Sequence, residues 1–373
     1  MNLTVWRVFL QGVGVQVVNA ESSFIGCNFD KSIHGVFYSH FSGFKFQGCR
    51  FSRFLDCSVV LDSLKLSCLV FDQYKEYAFT QSEISDCVFA NFSSSAISSC
   101  VYINSLSHSI VISRSGFFNV KTTHSGSTNH ASCVYSTKAN FIHMSYVCFD
   151  RVSSNCAASY GIDSTNGGIN SCEINYTLEI NLGKLASQPL SSFYGGRERI
   201  SFIYNNQSSS NIQARGGFYP LTNPNGSFPV QFCTIHNVKS ASLIYVWKAD
   251  EFYYFSDFNI VNSSTTSYFF HINQGSSSHA FIRTNFDISI VNYVYSGLGI
   301  CYFYDCKFKD QYMSSKFLKC QLDSSCTYGI NEFPDTIPRV KTQLCWNLGY
   351  FQTNFREIRL SSMAISIIFF ILQ

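Results

Sequence analysis

Apolar and polar residues alternate in short stretches that recur along most of the chain. The clearest is Ile84-Ser85-Asp86-Cys87-Val88-Phe89-Ala90-Asn91-Phe92-Ser93-Ser94-Ser95. A period of two predicts a short strand with Cys87 and Phe89 on one face, then a turn near Asn91 and a run of small residues. Upstream, Cys68-Leu69-Val70, Cys49-Arg50-Phe51 and Cys27-Asn28-Phe29 repeat the same core. Downstream it returns as Ser115-Gly116-Phe117, Val147-Cys148-Phe149, Cys172-Glu173-Ile174, Cys233-Thr234-Ile235, Ser256-Asp257-Phe258, Thr284-Asn285-Phe286 and Cys306-Lys307-Phe308. Neighbouring copies are about 19 to about 32 residues apart, a spacing that marks a repeat array. One gap of about 61 residues holds Phe202 near its middle, a candidate degenerate copy.

A second element accompanies the first. Ser99-Cys100-Val101-Tyr102 recurs as Ser132-Cys133-Val134-Tyr135, and more loosely as Ser242-Leu243-Ile244-Tyr245. Each unit thus holds two or three short strands separated by Ser, Asn and Gly turns. Such a unit cannot bury its apolar face alone. Coiling the chain so that each strand lies parallel on its counterpart one turn earlier buries that face and pairs the backbone. The expected fold is all-β, a right-handed parallel β-helix of about a dozen coils. Unequal steps favour it over propellers and leucine-rich horseshoes, because a corner loop can lengthen without disturbing the stack.

Composition agrees. Only 13% of the 373 residues are charged, against roughly 25% in ordinary soluble domains. There are 37 Phe and 22 Tyr but 6 Pro, which favours strands. A net charge of +3 with no Lys/Arg run excludes a nucleic-acid footprint. The 16 cysteines include no Cys-x-x-Cys pair, and Cys301/Cys306 and Cys320/Cys326 lack a matching second half for a metal site. No metal or cofactor is expected. Cys27, Cys49, Cys68 and Cys87 read as small buried hydrophobes.

Residues 1–310 form the predicted array. Its start alternates as a strand does and lacks the apolar core of a secretory signal. Between Gly161 and Pro229 glycines and prolines loosen the pattern, and Gly195-Gly196-Arg197-Glu198-Arg199-Ile200 is read as a solvated turn. Residues 311–360 are the expected C-terminal cap, in which Cys320, Cys326 and Cys345 fall outside the repeat position. With Cys306 they are the disulfide candidates for an extracellular chain. Residues 361–373 form an apolar tail whose continuous run, Met363 to Leu372, is about 10 residues against the ~20 that span a bilayer. The expected readings of this run are the start of a truncated membrane helix, a lipid-anchor attachment signal or a last strand. Sequons at Asn2, Asn91, Asn175, Asn206, Asn225 and Asn262 mark exposed turns if the chain is secreted.

The Cys-x-Phe-x-x-Phe/Val-Ser-Ser unit, as in Cys87-Val88-Phe89-Ala90-Asn91-Phe92-Ser93-Ser94, resembles the repeats of right-handed parallel β-helix proteins. It is most similar to the large surface-protein families of trichomonad-type protists, related in turn to bacterial polymorphic outer-membrane proteins. The likeness covers residues 20–310 and implies a non-enzymatic surface or secreted protein acting in adhesion. The expected partner is a host or matrix protein or a glycan, with the tail as candidate membrane attachment. The competing reading is a polysaccharide lyase or hydrolase on the same scaffold, which needs clustered carboxylates. The 23 Asp and Glu include one adjacent pair, Asp250-Glu251, and the nine His are scattered. His34, His40, His124 and His130 read as solvated or hydrogen-bonded, so no catalytic residue is expected.

Overall fold

The computed structural model describes residues 3–6, 9–11, 15–17, 22–30, 37–39, 43–54, 58–62, 80–95, 98, 100–123, 131, 133–162, 169–180, 182, 200–212, 219–222, 229–248, 252–290, 292–309 and 317–329. Among them are 33 strands and no helix, and every strand pairing is parallel. The strands stack in three ladders. The first runs from Leu3–Trp6 through Ser22–Ile25, Phe44–Gln47 and Thr80–Ser85 to Cys301–Tyr304 and Cys320–Leu322. The second runs from Phe9–Gln11 through Asn28–Asp30, Arg50–Ser52, Val88–Ser94 and Gly116–Thr122 to Lys307–Phe308 and Thr327–Tyr328. A third has two described stretches, one from Val15–Val17 to Tyr160–Ile162 and one from Tyr219–Thr222 to Tyr293–Ser296. The chain visits the ladders in turn, an arrangement compatible with a parallel β-helix.

Register explains the motif. Phe29, Phe51, Phe89, Phe117 and Phe149 are consecutive partners in the second ladder. Their rings stack inside with centroids 4.9, 4.6, 4.7 and 5.1 Å apart, close to the strand spacing of ~4.8 Å. Each stacked pair contributes roughly 1 kcal/mol beyond its burial. Phe24 and Phe46 stack in the first ladder, as do Phe255, Phe281 and Phe303 further along.

Between the first and second ladders one residue turns the chain at positive φ. The position is filled successively by Gly26, Gly48, Asp86, Arg114, Tyr146, Tyr176, Tyr204, Phe232, Asp257, Arg283 and Asp305, with φ between 43° and 62°. The next residue is the small one of the motif. Its thiol or hydroxyl donates to the carbonyl two residues back, across the turn: Cys87 Sγ to Ser85 O at 3.2 Å, Ser115 Oγ to Ser113 O at 2.8 Å, Cys233 Sγ to Gln231 O at 3.2 Å and Thr284 Oγ1 to Ile282 O at 3.3 Å. Cys27, Cys49 and Cys87 are buried here, as expected, as are Cys233 and Cys306, and they cap the turn as well.

This column corrects three sequence alignments. Thr177-Leu178-Glu179, not Cys172-Glu173-Ile174, lies in register with Val147-Cys148-Phe149, and Cys172 belongs to the first ladder opposite Ile142. The long gap holds a copy whose column residue is Asn205, paired through Asn206 and Gln207 to the strands on both sides. Phe258, not Ser256, occupies the column position next after Cys233. In the first two cases a hydrogen-bonding Thr or Asn stands where Cys does elsewhere, and in the third the position is filled by an apolar ring. Asn205 Oδ1 accepts from the Thr177 amide at 2.9 Å and hydroxyl at 2.7 Å, while its Nδ2 donates to Ile174 O at 2.8 Å. Cys68 lies outside the described residues. Phe44–Gln47 pairs directly with Thr80–Ser85 and Arg50–Ser52 with Val88–Ser94.

The placement of two C-terminal cysteines outside the repeat is also corrected. Cys320 pairs in register with Cys301, and Cys326 follows Cys306 in the turn-cap column. Both therefore continue the repeat. The rest of residues 311–360, Cys345 and the tail at 361–373 lie outside the described residues. No helix among the described residues is long and apolar enough to cross a membrane.

Polar groups interrupt the core in two regions. In the second ladder Glu179 and Gln207 replace the phenylalanines between Phe149 and Ile235. Ser159 Oγ donates to Glu179 Oε1 at 2.5 Å, and both polar atoms of Gln207 are buried without a hydrogen-bond partner among the described residues. Elsewhere His279 is fully buried, stacked on Tyr253 at 5.2 Å and edge-on to Phe270, with Nδ1 accepting the Tyr253 amide at 3.3 Å. Its Nε2 has no hydrogen-bond partner among the described residues.

Burial pushes the His279 imidazole down from 6.5 to about 3, because an imidazolium there has no water. The unfolded chain then binds the extra proton between those values, so stability is lost as the pH falls below 6.5. Going from pH 7 to pH 4 is expected to cost about 3 kcal/mol at 1.36 kcal/mol per pKa unit. Urea titrations of the protein and of His279→Phe at both values check this. The wild-type loss shrinks in the variant, and equal losses in the two proteins refute the assignment.

Candidate binding surface

The first turn column projects outward, and from Asp86 to Arg283 its side chains sort into three blocks. Asp86 and Arg114 form a bidentate pair, with Arg114 Nε and Nη2 donating to the two carboxylate oxygens at 2.7 and 2.8 Å. Tyr146, Tyr176, Tyr204 and Phe232 follow as one continuous stack. Their centroids are 4.7, 4.8 and 4.8 Å apart and their planes within 5°, 9° and 13° of parallel. Asp257 and Arg283 then repeat the bidentate pair, both bonds at 2.7 Å.

The aromatic block is costly where it stands. The left-handed region disfavours side chains with a Cβ by roughly 1–2 kcal/mol, and bulky ones are unusual there. Tyr146, Tyr176, Tyr204 and Phe232 all adopt it, with φ of 56°, 56°, 57° and 55°. Glycine fills the same position at Gly26 and Gly48 without that cost. Ring stacking offsets part of the strain. The rings press on one another through their faces, so the phenol edges of three consecutive rungs point outward. Tyr146 is 41% exposed and the other three are half-buried. Partial burial first, then the flanking Tyr146 and Tyr204, push the Tyr176 phenol up.

A second aromatic group lies on the outer side of the first ladder. Phe252 packs on Tyr254 at 4.6 Å and faces Tyr302 at 6.5 Å, and Tyr302 stacks on Tyr304 at 6.1 Å. Tyr254 and Tyr304 are exposed. Together the two groups offer broad planar and hydroxylated surface with little net charge, suited to glycans or to polar protein surfaces.

A second positive-φ column follows the second-ladder strands. It carries Arg53, Asn91, Asn119, Arg151, Ser209, Asn237 and Asn262. Asparagine tolerates this conformation better than most residues. Two of the sequons fall here, and both Asn91 and Asn262 are exposed. Asn91 Oδ1 accepts from Asn119 Nδ2 at 2.7 Å. Asn175 is half-buried, with Oδ1 accepting the Ile203 amide at 3.3 Å. Asn206 is 6% exposed and is not the exposed turn the sequence suggested. Asn2 and Asn225 lie outside the described residues.

Other expected residues are placed as follows. Cys306, Cys320 and Cys326 carry free thiols. Cys148, which the sequence reading did not single out as bridged, is disulfide-bonded. His34, His40, His124, His130, Asp250, Glu251 and the Gly195–Arg199 segment lie outside the described residues. Among the described residues no group of three or more His, Cys, Asp or Glu is arranged to hold a metal ion. The exposed aromatic column was missed in the sequence because two of its members precede misaligned copies. Its signal is the residue just before each turn cap: Tyr146, Tyr176, Tyr204 and Phe232. No family model, curated protein or solved structure matches this chain.

Proposed function

We propose that the chain is a right-handed parallel β-helix of about a dozen coils, acting as a non-enzymatic surface or secreted protein in adhesion or binding. The observation that carries the reading is the four-ring column at positive φ. Glycine or asparagine would turn the chain at lower cost, so the rings answer to something outside the fold. A flat surface repeated at ~4.8 Å intervals suits an extended partner, such as a host or matrix protein or a glycan, without any pocket. The likeness of the Cys-x-Phe unit to protist surface repeats points the same way.

Arrays of glycans and of matrix proteins, probed with the full chain, test this. The triple variant Tyr146→Asn, Tyr176→Asn and Tyr204→Asn keeps the turn conformation accessible and removes the rings. Binding is expected to fall by at least about tenfold, or about 1.4 kcal/mol. Unchanged binding by the variant, or depolymerisation of a polysaccharide on the array, refutes the proposal.

A further inference from the structure

Thiols in this fold occur in register. Cys27, Cys49 and Cys87 stand on consecutive rungs, Cys49 interacting with both neighbours, and Cys100 contacts Cys133. All five are buried to within 1%. Two further pairs lie at the last described rungs of the first two ladders. Cys301 is the register partner of Cys320, and their thiols are close enough to hydrogen-bond. Cys306 and Cys326 occupy successive turn-cap positions and are in the same relation. What distinguishes these pairs is access. Cys301 and Cys306 are fully buried, whereas Cys320 and Cys326 are half-exposed. Each pair therefore combines a thiol that a reagent can reach with one that only its neighbour can reach. In-register strands hold Cα atoms ~4.8 Å apart, inside the 4.4–6.8 Å that a disulfide spans.

We propose that Cys301–Cys320 and Cys306–Cys326 are rung-to-rung disulfide sites, closed by exchange with a low-molecular-weight disulfide. The Cys326 thiolate attacks one sulfur of the small disulfide. That bond breaks, and one small thiolate leaves and takes up a proton. Cys306 then attacks Cys326 Sγ in the mixed disulfide, releases the second small thiolate and passes its proton to it. Two protein thiols are oxidised to one disulfide and one small disulfide is reduced to two thiols. Cys320 and Cys301 follow the same course. The order of attack follows from the surroundings: the hydrogen bond with Cys306 favours the Cys326 thiolate, while burial disfavours that of Cys306. The two bridges would fasten Cys320–Leu322 and Thr327–Tyr328 to Cys301–Tyr304 and Lys307–Phe308. The last described strands of both ladders then cannot fray.

The test exposes the full native chain to oxidised glutathione, blocks remaining thiols with N-ethylmaleimide, and maps peptides without reduction. Trypsin leaves Cys301 and Cys306 together on residues 284–307, and Cys320 and Cys326 together on residues 320–339. These two peptides are expected as one species, four hydrogens lighter than their sum. In Cys326→Ser a single bridge remains, and chymotryptic cleavage between Cys301 and Cys306 assigns it to Cys301–Cys320. In Cys320→Ser the remaining bridge is Cys306–Cys326. Before oxidation, alkylation of Cys320 and Cys326 is expected to run at least about tenfold faster than that of Cys27, Cys49 and Cys87. Glutathione adducts without bridges, a Cys320–Cys326 bridge, or thiols that remain fully alkylatable would each overturn the proposal.

Discussion

Raising the pH from 5 to 9 is expected to lower the unfolding free energy by about 4 kcal/mol through Glu179 alone. Glu179 is 4% exposed inside the second ladder, and burial pushes its carboxyl from 4.5 up to about 8, with the Ser159 hydroxyl acting the other way. The other groups identified around it are neutral: the Gln207 amide in register and the raised Cys133 thiol, on which its charge acts. The folded state holds a proton that the unfolded chain gives up above 4.5. Stability is thus fully present at low pH and drains away as the pH climbs through 8. Denaturant titrations of the protein and of Glu179→Gln measure the difference at each pH. That difference grows toward alkaline pH, since the amide does not ionise, and parallel curves would show that Glu179 is not buried as described. With the opposite dependence of His279, the protein is expected to be most stable between about pH 5 and 6.

Phe89→Ala should destabilise the fold by about 4 kcal/mol, within the range for deleting a buried aromatic side chain. Phe89 is fully buried between Phe51 and Phe117, with rings 4.6 and 4.7 Å away and nearly parallel. The cavity cannot collapse along the stack, because the backbone bonds of adjacent strands hold neighbouring rungs at fixed spacing. Among these are Val88 N to Cys49 O at 2.8 Å and Gly116 N to Cys87 O at 2.9 Å. Hydrogen exchange localises the effect. Each unit packs mainly on its neighbours, so amides of Arg50–Ser52, Val88–Ser94 and Gly116–Thr122 should lose protection before those of Asn285–Ile290. A loss spread evenly over the chain, or one below about 1 kcal/mol, would contradict this packing.

Most of the second ladder was legible in the sequence because one physical demand recurs there at nearly constant spacing. A small hydrogen-bonding residue caps a tight turn and a large apolar one fills the core two positions on. Cys27/Phe29, Cys49/Phe51, Cys87/Phe89, Ser115/Phe117, Cys233/Ile235 and Cys306/Phe308 show it without ambiguity. Two of the three misplaced copies fall where the interior turns polar. At Thr177/Glu179 and Asn205/Gln207 the apolar mark is missing, so the nearest Cys-x-Ile, at Cys172, stood in for it. The candidate surface was lost at the same place, since Tyr176 and Tyr204 precede those two copies.

The sequence by itself therefore determined an all-β chain with a repeating strand, its inward phenylalanines and its small turn residues, because these follow from local period and side-chain chemistry. Only the tertiary structure decided which rungs are neighbours, and with them every property that depends on stacking. Tyr146, Tyr176, Tyr204 and Phe232 become one surface, Cys301 meets Cys320, and Glu179 loses its water. Residues some thirty positions apart carry no local sign of one another until backbone pairing sets them about a strand's width apart.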